Sequence, residues 1–133
     1  MNGMMGIYWG VGSGGDSYNP GWRTYKKMSD LTCPQPTMSW IFADESMYTL
    51  NDGYLQMNLN QPDFPDVPAN YHGGVNCFTF ADGHGEPHKW KGALARVPYA
   101  KDITATSGGI GRIGASAQDR DWLWLKDRTA CRQ

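Results

Sequence analysis

Five acids, Asp44, Glu45, Asp52, Asp63 and Asp66, fall in or beside turns within a short stretch of the chain. Carboxylates on turns, with backbone carbonyls close by, suit a hard, oxygen-seeking cation. The competing reading is that they accept backbone amides and cap turns, as Asp does in most loops. Their spacing is not that of an EF-hand. A second group, His84, Glu86 and His88, sits at i, i+2 and i+4, which on a strand turns all three side chains to one face. Two imidazoles and a carboxylate so placed are a candidate zinc or other transition-metal site with an open position, or else ordinary surface residues beside a turn.

A third chemistry is hydrolysis. A water activated by Asp, Glu or His, with a metal ion polarising a carbonyl, opens an ester or a lactone such as an acyl-homoserine lactone. His72, Asp82, His84 and Glu86 are the acid and base candidates for it. The chain has no G-x-S-x-G, H-x-H-x-D-H or H-E-x-x-H run to supply a nucleophile or a hydrolase metal site. For His72 the favoured role is structural: a hydrogen bond to the Asp82 region that locks a hairpin.

These residues need elements to hold them. Trp22, Tyr25 and Met28 are three apart and predict a short amphipathic helix over 22–30, ending before Cys33-Pro34. In 37–43, Met38, Trp40 and Phe42 alternate with Ser39, Ile41 and Ala43, and both sets are mostly apolar, which predicts a central, covered strand. Residues 53–59 alternate Leu55, Met57 and Leu59 with Tyr54, Gln56 and Asn58, the pattern of a strand with one wet face. Pro62, Pro65 and Pro68 make 61–70 a loop. Residues 74–82 and 85–91 read as a hairpin about Asp82-Gly83, with Pro87 marking its second arm as an edge. Glycines 108, 109, 111 and 114 predict a loop. A helix follows from near Ser116, whose hydroxyl is expected to cap the Asp119 amide, and which buries Trp122, Leu123 and Leu125. The fold class is α+β: one domain over 1–133, a small antiparallel sheet of three to four strands, long loops and one or two short helices.

Composition narrows the partners. Twelve Lys and Arg against 13 Asp and Glu leave a net charge of −1, without the field that nucleic acid or anionic lipid selects. No apolar run approaches the roughly 20 residues that span a bilayer, so no membrane segment is expected in this sequence. Cys33, Cys77 and Cys131 allow one disulfide at most; a Cys33–Cys131 bridge and three unpaired thiols both remain open. Six Trp and seven Tyr raise a carbohydrate-binding module as a further class, or a core that needs large side chains.

Nine residues separate His72 from Asp82-Gly83. With Asp44-Glu45, Asn51-Asp52-Gly53-Tyr54, Pro68-Ala69-Asn70-Tyr71-His72, Phe80-Ala81-Asp82-Gly83-His84, Glu86-Pro87-His88-Lys89-Trp90 and the ending Trp122 to Thr129, this resembles the prepilin-type H-x9-D-G family, relatives of the type II secretion major pseudopilins. The resemblance implies the globular domain of a pseudopilin-like subunit, lacking the N-terminal helix, with other pilin-like subunits or itself as partner. It also implies a periplasmic or extracytoplasmic location if the parent carries a prepilin leader, and a calcium ion in a loop. Here Glu45, Asp52 and Asp66 would be its side-chain ligands. Ser46 and Tyr48 depart from the family, where a His and an acidic residue are usual.

Overall fold

The computed structural model describes residues 1–5, 19–98 and 112–133. Trp9 and glycines 108, 109 and 111 lie outside them. The strands are β1 (Trp40–Ala43), β2 (Asp63–Phe64), β3 (Val75–Phe80), β4 (Gly85–Lys89) and β5 (Ile113–Gly114), followed by one helix, α1 (Arg120–Thr129). One antiparallel sheet has the order β1-β3-β4, and β2 and β5 form a second, two-stranded sheet. The expected α+β class, with a small antiparallel sheet and little helix, is the one observed.

The hairpin forms as its sequence requires. Asn76, Phe78 and Phe80 turn inward while Cys77 and Thr79 face out, and Gly83 takes φ +94° at the turn, where a side chain would be strained. Pro87 does lie on an edge strand, opposite Cys77. The helix α1 covers the inner face. Phe78 meets Trp40, Trp90 and Trp124 edge-on at ring-centroid distances of 5.8, 5.9 and 5.0 Å. The Trp40 indole N–H donates to Thr129 Oγ1 at 3.0 Å.

Several expected elements differ. β1 is an edge strand, not a central one. A bulge at Ile41 breaks its alternation, so Trp40 is fully buried while Phe42, two residues on, is 56% exposed and pairs with outward-facing Thr79. Between 22 and 30 the only helical turn is a 3-10 turn at Met28–Asp30. The amides before it are taken by other segments: Arg23 N–H donates to Cys131 O and Tyr25 N–H to Met4 O. The expected strand at 53–59 keeps its burial, with Leu55, Met57 and Leu59 inside, but pairs as strand only at Leu55 with Asn2. Side chains satisfy the rest of its backbone. Asn19 Nδ2 donates to Met57 O and Asn19 Oδ1 accepts Leu59 N–H, both at 2.8 Å, and the Trp122 indole donates to Asn58 O. The loop at 61–70 contains β2, held to two residues between Pro62 and Pro65. Asp119, not Ser116, caps α1, its Oδ1 accepting Asp121 and Trp122 N–H at 3.0 Å. Leu123 is exposed, and half-buried Trp124 packs in its place.

Cys33 and Cys131 are bonded, with Cα atoms 5.7 Å apart. Tyr25 sits against that junction, donating its hydroxyl to Cys33 O and accepting Cys131 N–H. Cys77 is a free, exposed thiol. Among the described residues no helix is long and apolar enough to cross a membrane.

Candidate functional site

The acids come together through two chain crossings. Residues 44–46 run antiparallel to 67–69: Ser46 N–H donates to Val67 O, Ala69 N–H to Asp44 O, and Glu45 bridges Pro68. Buried Asn76, reaching from β3, clips both, its Nδ2 donating to Asp44 O at 2.8 Å and to Ala69 O at 2.9 Å. The 52–55 turn is drawn in by residues 1–3, because Leu55 N–H donates to Met1 O and the Met1 ammonium to Gly53 O at 2.9 Å. An open cavity of about 450 Å³ results, lined by Asp44, Glu45, Asp52 and Tyr71, with Leu50 and Met1 among its other walls.

Its charges feel one another. Burial, with the Asp66 and Asp52 charges adding, pushes Glu45 up to about 7 against the opposing Thr49 hydrogen bond. Asp66 is raised by burial, then by Asp52, against the Gln56 N–H that it accepts. Burial lowers the Met1 ammonium while Glu45, Asp52 and Asp66 pull it back. The three expected calcium ligands thus share one neighbourhood. Among the described residues Glu45 Oε1 is buried without a hydrogen-bond partner. The other two are partly committed, Asp66 Oδ2 to Gln56 N–H at 2.6 Å and Asp52 Oδ1 to Tyr54 N–H at 2.7 Å. Among the described residues, no three His, Cys, Asp or Glu side chains are grouped closely enough to hold a metal ion.

The imidazoles do not converge. His84 Nδ1 lies 2.6 Å from Asp82 Oδ1 on the exposed turn, and those hydrogen bonds hold the Asp82 carboxyl below its ordinary value. The His84 ring stacks on Phe80 at 4.4 Å, whereas His88 stacks on Trp124 at 3.8 Å and is lowered chiefly by burial. Each ring is therefore turned to its own aromatic partner. The expected His72 bond to the Asp82 region is not made: His72 is exposed before β3, and Asp82 follows its far end. Six strand residues separate the two regions, roughly 20 Å of extended chain. Asp82 takes its partner from His84 instead. Neither the cavity above nor a second one of about 410 Å³, lined by Asn70, Tyr71, Gly73, Gly74 and Ala95, is walled by His72, Asp82, His84 or Glu86. Among the described residues the candidate hydrolytic set is spread along the hairpin and outside both of these cavities.

One cluster was not foreseen. Asp121 is 1% exposed, and its carboxylate accepts N–H groups from Lys91 (2.8 Å), Gly92 (2.8 Å) and Leu94 (3.0 Å). Asp119 adds Ala93 N–H at 2.8 Å. The pair Asp-x-Asp ahead of Trp-Leu-Trp was the available signal. Trp22, whose exposure would favour carbohydrate binding, is buried beneath Arg132 and Lys126, at 4.7 and 5.5 Å from its ring.

Comparison of the chain with family models, with curated proteins and with solved structures finds no match in any of the three.

Proposed function

We propose that the chain is the globular head of a pilin-like subunit of the H-x9-D-G kind, working by contact with copies of itself in a type II secretion or type IV pilus-like assembly. The observation that carries the reading is the one-sided sheet. α1 covers the face of Trp40 and Phe78, while the other face presents Phe42, Cys77, Thr79 and Pro87 to solvent. Exposed Met47 and Leu50 follow Phe42 closely in the chain. Apolar side chains at an uncovered face favour a protein contact. The Cys33–Cys131 disulfide supports an extracytoplasmic setting, since such bonds persist in oxidising compartments. Calcium held by Glu45 and Asp52 in the cavity, with Asp66 close enough to act on Glu45 through its charge, is part of the proposal, supported by the unpartnered Glu45 oxygen and the mutual repulsion of the acids.

Sedimentation velocity across a concentration series tests the reading. The wild-type chain is expected to self-associate and Phe42→Asp to weaken that association at least tenfold, with an unchanged circular dichroism spectrum. Equal association by both proteins would remove the sheet face from the account.

A further inference from the structure

Charge is segregated along this chain. From Met28 to Tyr71 there is no Lys, Arg or His, and six acids: Asp30, Asp44, Glu45, Asp52, Asp63 and Asp66. Asp44 and Asp52 are exposed, as are the apolar Phe42, Met47 and Leu50. With the Met1 ammonium at Gly53 O among Asp44, Glu45 and Asp52, this surface is acidic on balance and apolar together.

The cations collect elsewhere. Trp22 pairs with Arg132 as an antiparallel bridge, and Arg23 N–H donates to Cys131 O, so the segment bearing Arg23, Lys26 and Lys27 joins the end of the chain bearing Arg132. Lys126, on α1, lies over Trp122 at 4.3 Å and 5.5 Å from the Trp22 ring, which Arg132 also approaches at 4.7 Å, so the two cations share Trp22 as a neighbour. Exposed Leu123 is one turn from Lys126. Asp30 and Asp127 are the acids nearest these five cations in the described sequence, and Asp30 Oδ2 is occupied by the Lys26 and Lys27 amides. The described ion pairs are His84 with Asp82 and Arg112 with Asp63, so none of the five has an acid partner among the described residues. Aromatic rings hold Lys126 and Arg132 in place and leave their charge unneutralised. In a chain of net −1, a positive face implies a correspondingly negative remainder.

Resting on the subunit reading, we infer that copies dock head to tail: the Leu123, Lys126 and Arg132 face of one copy seats on the Phe42, Asp44 and Leu50 surface of the next. Engaged once per pair of copies, the contact is heterologous and leaves each copy one free face of each kind, the geometry of a growing chain or ring. Both halves offer an exposed apolar side chain flanked by charge of opposite sign, which sets orientation and register.

Charge reversal with rescue tests this at low ionic strength by sedimentation velocity, with circular dichroism confirming the fold. Lys126→Glu with Arg132→Glu, and separately Asp44→Lys with Leu50→Lys, should each weaken association at least tenfold. A chain carrying all four changes should associate again, and 0.5 M salt should weaken the wild type. Association indifferent to both reversals would overturn this pairing while leaving the subunit reading in place, as would a folded four-change chain that stays monomeric. A wild-type chain monomeric at every concentration would overturn both. Binding of phosphatidylglycerol vesicles through Lys126 and Arg132, without self-association, would reassign the face to anionic lipid and also overturn the inference.

Discussion

Replacing Asp121 by alanine removes one carboxylate and strands three amides, those of Lys91, Gly92 and Leu94. A buried donor left unpaired costs about 1–3 kcal/mol. Leu94 is fully buried and its N–H takes the full penalty, Gly92 is half-buried, and Lys91 lies where water can replace the lost acceptor. The sum is about 3–4 kcal/mol, a large part of the roughly 5–15 kcal/mol that holds a domain folded. Asp121→Asn keeps one carbonyl oxygen but sets an amide donor against the others, and should cost about 2 kcal/mol. Urea unfolding followed by tryptophan fluorescence measures both, with an unchanged slope reporting an unchanged transition. If Asp121→Ala lost less than about 1 kcal/mol at constant slope, the clamp between α1 and residues 91–94 would not be the restraint described here.

Three further outcomes follow from the same structure. Glu45 titrates near 7 when folded against an ordinary 4.5, so the folded chain binds the proton more tightly and stability should fall as pH rises from about 4.5 through 7. Solvent screening of this half-exposed group trims the effect to about 1 kcal/mol. Asp66 adds the same sign and the Met1 ammonium the opposite one, so the decisive comparison is Glu45→Gln, whose pH–stability profile should be flatter than that of the wild type. Millimolar calcium should raise the melting temperature at pH 7.5 more than at pH 5.5, because the ion competes with the Glu45 proton; identical melting with calcium and with chelator would remove the ion. Cys33→Ser with Cys131→Ser opens a crosslink spanning 98 residues, and should cost about 4 kcal/mol in chemical denaturation; a loss under about 1 kcal/mol would show the bond to be incidental.

Much of the hairpin was legible because its pattern has period two and its turn carries Asp-Gly, both local signals. The bulge at Ile41 was not, since Trp40 and Phe42 read as one face until an extra residue shifts the phase between them. Residues 53–59 show the same limit from the other side. Their alternation gave the burial of Leu55, Met57 and Leu59, but their backbone N–H and C=O groups found Asn19, Trp122 and Asp66 side chains brought in from distant segments, and strand pairing only at Leu55. Tyr25 and Trp22 mimicked helical spacing for a related reason: tertiary partners claim their segment's amides. Of the candidate sites, the placing of Glu45, Asp52 and Asp66 in turns was readable from local chemistry, whereas their spacing from one another is set by tertiary hydrogen bonds, and among the described residues no three such side chains are grouped closely enough to hold a metal ion. The separation of His72 from Asp82 was implicit in the nine-residue spacing, which on an extended strand carries the two apart instead of together.

Cys77 offers the most direct measurement, since it sits natively on the uncovered sheet face and needs no substitution to be followed. Alkylation of its thiol, timed in dilute and in concentrated protein, reports whether that face is covered when copies meet. The account predicts at least tenfold slower labelling in the associated state, with the slowing abolished by Phe42→Asp. Labelling at the same rate in monomer and assembly would contradict it.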